Sequence, residues 1–220
     1  QAIGAFYHFP DGRTGRAGAI GTVGCSSFYP SKNLGAFGDG GAIFTQDDIL
    51  GERIQVICNH GSRERYYHAE IGVNSRLDAV QAAILEIKLR HLDTYNAARR
   101  AAAAQYSALM EDVEGIVLPI EASYGRHVYH QYTIRILEGR KKRDAIREHL
   151  SQKGIPSMIY YPVACHLQEA YQSYGYKEGD LPISERLTEE VISLPIHTEL
   201  TDEQIQYIVH HFKEAISISH

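Results

Sequence analysis

The feature that most constrains the fold of this 220-residue chain lies near its middle. From Asn74 onward, Leu77, Val80, Ile84, Ile87 and Tyr95 recur at helical spacing, and residues 97–104 read Ala-Ala-Arg-Arg-Ala-Ala-Ala-Ala, dominated by the best helix former. The pattern predicts one long, bent helix from about 75 to 111, with a capping signal at Ser75 and Asp78 and an end before Gly115. A helix of that length joins two lobes. The expected division is therefore 1–112, ending in the connecting helix, and 113–220, a smaller domain.

The flanking segments alternate strand and helix signals. Residues 19–29 read as a buried strand bounded by glycines, 41–45 as a second strand and 47–58 as a short helix, followed by a polar stretch over 59–72. In the second lobe, strands are expected at 130–136 and 157–161. Helices are expected at 141–153, about 166–174 and 184–193. The last helix follows a capping box, Thr201-Asp202-Glu203-Gln204, and carries an apolar stripe of Ile205, Ile208, Val209, Phe212 and Ile216 that reads as core packing.

Composition narrows the function classes. A hydrophobic content of 44% supports a sizeable core, and a net charge of −5 argues against a nucleic-acid surface. No run approaches the length of a membrane span. Cys25, Cys58 and Cys165 are odd in number and widely spaced, which fits a reducing cytoplasm better than a disulfide framework. Only His210 and His211 among the twelve histidines are adjacent, and neighbours on a helix do not share a face, so no metal site is expected. The opening Gln1-Ala2-Ile3-Gly4-Ala5 carries neither a methionine nor a capped element and reads as a cut inside a domain.

The segment most directly suggestive of chemistry joins the first two expected strands: Ser26-Ser27-Phe28-Tyr29-Pro30-Ser31-Lys32-Asn33-Leu34-Gly35-Ala36-Phe37-Gly38-Asp39-Gly40-Gly41. A Schiff-base enzyme needs one rigidly held, partly desolvated lysine that a flat cofactor can approach closely. A phosphate-binding P-loop is excluded because no Gly-Lys-Ser/Thr follows the glycines, and a Ser-x-x-Lys pair fails because Tyr29 holds the serine position. On pattern alone, a structural lysine in a glycine-rich turn reads better, since short motifs recur by chance.

Four ordered motifs alter that balance. The lysine segment resembles the cofactor-lysine region of the DegT/DnrJ/EryC1/StrS family of sugar aminotransferases dependent on pyridoxal 5′-phosphate (PLP). Gly72-Val73-Asn74-Ser75-Arg76-Leu77-Asp78-Ala79-Val80-Gln81-Ala82-Ala83 resembles the family's Gly-x-Asn-x-Arg-x-x-x-x-Gln-Ala stretch. Tyr160-Tyr161-Pro162 with His166-Leu167-Gln168 resembles its substrate-side loop, and Ser193-Leu194-Pro195-Ile196-His197 its C-terminal signature. The resemblance implies an α/β chain of PLP-dependent transferase fold type I, incomplete. Its expected parts are the C-terminal portion of the large mixed-sheet domain and a small α+β C-terminal domain.

Carried over by position, the resemblance makes Lys32 the catalytic lysine that holds PLP covalently and moves a proton between two carbons. Ser27 would bind the cofactor phosphate and Gln1 the ring hydroxyl. Asn74, at an expected helix start suited to anions, would reach the phosphate of a neighbouring subunit's cofactor, which implies a homodimer with shared active sites. The family's ring-nitrogen aspartate would precede Gln1. His166, Tyr161 and Arg76 are candidate substrate contacts. Each also has a bland reading: a histidine satisfied by backbone, a packing aromatic, and an arginine paired with a carboxylate. His60 has no derivable role, and Arg63, Arg65, Tyr66, Tyr67 and His68 read as a solvated loop or a diphosphate grip.

The implied reaction moves an amino group from glutamate to a nucleotide-linked keto sugar. Lys-Asn-Leu-Gly-x-x-Gly-Asp-Gly-Gly looks like members that aminate C3, and the setting would be amino-sugar or lipopolysaccharide biosynthesis. The 220 residues alone are expected to be inactive. Two rival readings are a PLP-family protein that senses a ligand without turnover, and an idle structural domain.

Overall fold

A computed structural model describes residues 1–218. In chain order the strands are β1 (Phe6–His8), β2 (Thr14–Arg16), β3 (Gly24–Ser27), β4 (Gly41–Phe44), β5 (Ser62–Glu64), β6 (Tyr67–His68), β7 (Ile116–Val117), β8 (Gly125–Arg126), β9 (Tyr132–Ile136) and β10 (Val191–Leu194). The helices are α1 (Asp48–Cys58), α2 (Ala79–Leu89), α3 (Leu92–Met110), α4 (Arg140–Gln152), α5 (Pro182–Glu190) and α6 (Asp202–Ser217). Short 3₁₀ turns occupy Cys165–Leu167 and Glu169–Tyr174.

Two compact units are distinguished. One comprises 1–97 and 121–130, the other 98–120 and 131–220. The division falls inside α3, and residues 121–130 return to the first unit to supply β8.

The first unit is built from small antiparallel pieces: a β2-β1-β8 sheet, the β3-β4 hairpin and the β5-β6 hairpin. Its apolar centre gathers Phe28, Leu34, Ala36, Leu85 and Leu92, with Ile3 and Ala42 packed against them. The strand expected over 19–29 is confined to β3, and residues 19–23 are exposed. The reason is a tight reversal: a Cβ on Gly24 would lie 1.8 Å from the Gly18 carbonyl oxygen, so the chain folds back on itself there. Helix α1 begins where expected, with Asp47 accepting the Leu50 N–H at 3.0 Å.

The single helix expected over 75–111 is two helices, broken at Arg90-His91. Asp78 occupies the N-cap of α2 without a side-chain capping bond, and Ser75 lies outside the helix. Within the polar stretch 59–72, the part expected to be a solvated loop around 63–68 forms the β5-β6 hairpin. Its charges pair outward, Arg63 with Glu52 and Arg53 with Glu70.

The second unit packs a β10-β9-β7 antiparallel sheet with α4, α5, α6 and the latter part of α3. Tyr106, Met110, Tyr132, Ile134, Ile136, Ile146, Leu150, Ile192, Ile205 and Phe212 are fully buried. The capping box at Thr201 and Gln204 forms as expected, and Ile205, Ile208, Val209 and Phe212 are buried on one face of α6. Three expectations fail. The helix expected at about 166–174 is instead the two short 3₁₀ turns, Cys165–Leu167 and Glu169–Tyr174. Residues 157–161 form only an isolated bridge, Met158 to Ser193, and the helix expected over 184–193 stops at Glu190. The run Val191–Leu194 is buried at every position and is an edge strand paired to β9, with only the Met158 bridge on its other side; a short, mostly apolar run suits a strand covered on both faces.

Candidate active site

Lys32 sits on a turn that its neighbours fix on several sides. Its own N–H donates to the Tyr29 carbonyl at 2.9 Å, and Ala36 N–H donates to the Phe28 carbonyl at 2.7 Å. Phe28 N–H reaches the Gly40 carbonyl at 2.8 Å, tying the loop ends together where β3 meets β4. Gly35 is required by close approach, since a Cβ there would lie 2.4 Å from the Pro30 carbonyl oxygen.

The strongest anchor is the residue after the lysine. Asn33 is buried, and its amide donates to Asn96 Oδ1 at 2.7 Å and to the Val128 carbonyl at 2.8 Å. One side chain thus ties the turn both to the start of α3 and to the returning segment 121–130. That segment also brings His130 to the lysine: Nε2 lies 3.3 Å from the half-buried Lys32 Nζ. Sequence reasoning missed this contact. It took His130 as the first residue of a strand, whereas β9 begins at Tyr132, and no spacing rule links positions 98 residues apart.

Two of the motifs meet in space. Gln81, from the second, accepts the Phe37 N–H of the lysine loop at 2.8 Å, and Lys88 donates to the Gly35 carbonyl. The motif therefore has a structural purpose besides any contact to ligand: it clamps the glycine-rich segment. Within the same motif, Arg76 Nε donates to Asn74 Oδ1 at 3.1 Å. Both side chains are exposed and line a cavity of about 720 Å³ with Ser26, Asp39 and Gly40. Gln1 is exposed and lines a different cavity of about 330 Å³, also walled by Ser26.

The two serines at the end of β3 diverge, as successive strand residues must. Ser27 Oγ accepts the Tyr29 N–H at 3.3 Å, while Ser26 Oγ is buried without a hydrogen-bond partner. The structure thus brings Asn74 and Arg76 together and keeps Lys32 with His130, while Gln1 lines neither arrangement.

In the second unit, His166 is buried, with Nε2 2.9 Å from Glu185 Oε1. Glu185 also accepts the N–H groups of Gly179 and Leu181, at 2.9 and 3.1 Å. The Gly179 N–H and then the His166 ring hold the Glu185 carboxyl below its ordinary value of 4.5. Tyr161 is exposed. The C-terminal signature is gripped from α3, where Tyr106 Oη donates to the Pro195 carbonyl at 2.9 Å and Arg99 to the Ile196 carbonyl at 3.1 Å. Burial raises the Tyr106 phenol well above its usual range, so it remains a donor.

The donor set around the lysine loop fits PLP. It offers a half-buried primary amine, hydroxyls at a strand end, and a backbone packed too closely at Gly35 for any side chain to intrude. No described helix is long and apolar enough to cross a membrane.

Comparison with known proteins agrees with this reading. The model of the DegT/DnrJ/EryC1/StrS aminotransferase family matches residues 1–213. Among curated relatives, a pleiotropic regulatory protein of Geobacillus stearothermophilus is 48% identical over 216 residues, 97% of this chain and 56% of that protein. A dTDP-3-amino-3,4,6-trideoxy-alpha-D-glucose transaminase of Streptomyces venezuelae is 43% identical over 214 residues, 97% of this chain and 54% of that protein. The crystal structure of S. venezuelae DesV in complex with a ketimine intermediate superposes with a TM-score of 0.88 at 42% identity. It covers 99% of this chain and 56% of that one. The chain has the expected fold type I and spans about half the length of the relatives it matches.

Proposed function

From the premise that this chain belongs to the DegT/DnrJ/EryC1/StrS aminotransferase family, we propose that the whole protein is a PLP-dependent aminotransferase. It moves an amino group from glutamate to C3 of a nucleotide-linked keto sugar for amino-sugar or lipopolysaccharide biosynthesis. The observation that carries this reading is Lys32 Nζ, presented on an anchored turn 3.3 Å from His130 Nε2. The C3 position is supported by the 3-amino sugar in the name of the Streptomyces relative.

When bound, PLP supplies the electron sink for the reaction. The chain's own residues do the rest. Lys32 Nζ would hold the cofactor and, as general base and acid, would move a proton between two carbons. His130 Nε2 would restrain that amine, and the Asn33 anchor would hold the turn that presents it. Ser27 binds the phosphate, and Gln1 the ring hydroxyl. Asn74, already oriented by Arg76 on an exposed surface, serves the neighbouring subunit's phosphate in a cytoplasmic homodimer. Arg76 in the first unit, and Tyr161 and His166 in the second, are each proposed as substrate contacts, with His166 oriented by Glu185. On this reading the 220 residues alone are inactive.

A second reading is favoured by one observation: the Geobacillus relative is named a regulatory protein. The protein would then bind PLP and a ligand without turnover. Lys32→Ala in the complete protein separates the two. The aminotransferase reading expects turnover to fall by at least ~10³-fold, within the span of lost acid–base catalysis. Turnover that survives the change removes the mechanism, and a wild-type protein that binds PLP yet turns over no keto sugar favours regulation.

A further inference from the structure

Outside the lysine site, one side-chain cluster in the second unit has no explanation in the proposed reaction. His149 lies in the last turn of α4. His211 and Glu214 lie three residues apart on α6, which puts them on one helical face. The two helices carry buried Ile146 and Leu150 on one side and Ile208, Val209 and Phe212 on the other. The histidine side chains are only 20% and 12% exposed, while Glu214 is 42% exposed and opens to solvent.

The polar atoms of these three residues converge. His211 Nδ1 lies 2.6 Å from Glu214 Oε2, and His149 Nε2 lies 3.6 Å from the same oxygen. One ligand atom from each residue lies within 4.8 Å of the others. His149 Nε2 is buried and has no hydrogen-bond partner. A buried ring nitrogen left in that state calls for a partner, and a metal ion at this cluster would satisfy it.

We propose that His149, His211 and Glu214 form a binding site for a divalent transition-metal ion of the zinc class, which staples α4 to α6. Two imidazoles and one carboxylate are a recognised zinc donor set with a fourth position left for water. Ligand bonds of about 2.0–2.2 Å in tetrahedral array place donor atoms roughly 3.4 Å apart. The His149–Glu214 spacing of 3.6 Å already matches this, and the His211–Glu214 hydrogen bond needs to open by less than an ångström. His210 completes the arrangement from outside. Its Nε2 lies 3.3 Å from Glu214 Oε1, the oxygen the metal does not use, where it can orient the carboxylate. Adjacent histidines do serve one centre here, because one is three and the other four residues from Glu214. The proposal departs from the expectation that their adjacency excludes a metal site.

The test uses the full chain, free of any histidine tag and stripped with a chelator. Cobalt(II) is titrated in first and then displaced by zinc(II). The proposal expects a visible d–d band of four-coordinate strength that saturates at one ion per chain, together with a rise in melting temperature on zinc addition. His149→Ala and Glu214→Gln each weaken zinc binding by at least ~10-fold and remove the zinc-dependent rise. Glu214→Gln keeps the test decisive if the buried histidine variant does not fold. Absence of the cobalt band, or zinc affinity unchanged in either folded variant, overturns the proposal.

Discussion

Each of the two units is stabilised internally by different means. In the second, ten large side chains are fully buried, and α6 lays one uninterrupted apolar face into them. In the first, Phe28, Leu34, Leu85 and Leu92 retain slight exposure. Phe37, Ile43, Ile49, Ile71, Val80 and Ile87 stand largely in solvent. What organises the first unit around Lys32 is backbone approach at Gly35 together with the polar clamps Asn33, Gln81 and Lys88. A close-packed core resists rearrangement throughout its volume. A clamped loop concentrates precision at one point and leaves apolar surface over, of the kind that interfaces cover. That surface supports the proposed homodimer.

The contrast can be broken by substitution. Phe212→Ala should cost about 3–5 kcal/mol, the usual result of emptying an aromatic site in a packed core. Denaturant unfolding would measure it, and a cost below about 1 kcal/mol would mean that the second unit is far looser than its burial implies. Asn33→Ala should cost about 2–3 kcal/mol, because it deletes two buried hydrogen bonds and orphans the Val128 carbonyl. Its signature is regional: amide exchange should accelerate over 28–41 and 121–130 while β9 and β10 keep their protection. Uniform acceleration would show that the clamp is not local.

The smallest effect concerns the segment closed by Glu185. Its folded-state pKa is depressed, so the stability it contributes is present above the ordinary value of 4.5 and is lost as pH falls through the folded value. Limited proteolysis within 175–184 should rise over that acidic window, and Glu185→Gln should remove the pH dependence. Cleavage indifferent to pH would leave the His166–Glu185 contact without a closing role.

The difference between the units also governs what was legible in advance. Periodicity found α1, α4 and α6 to within a residue or two because local propensity and burial agree there. It merged α2 with α3, since nothing local marks the break at Arg90-His91. It extended α5 to Ser193, into the Val191–Leu194 strand, where tertiary pairing with β9 decides the conformation. The lysine segment was visible through motif order, and so was Gln81, though not its task of clamping Phe37. His130 and the His149–His211 pair were invisible for one reason. Both depend on chain segments that only folding brings together; His130 and His149 have no spacing signal of their own, and the i,i+3 spacing of His211 and Glu214 says nothing of His149.

The central claim is that Lys32 is the residue that holds PLP. The direct measurement is borohydride reduction of the complete protein incubated with PLP, followed by proteolysis and mass spectrometry. The account predicts a reduced pyridoxyl-phosphate adduct on the peptide bearing Lys32, lost in Lys32→Ala. An adduct placed specifically on another lysine, or PLP bound with none fixed on Lys32, would contradict it.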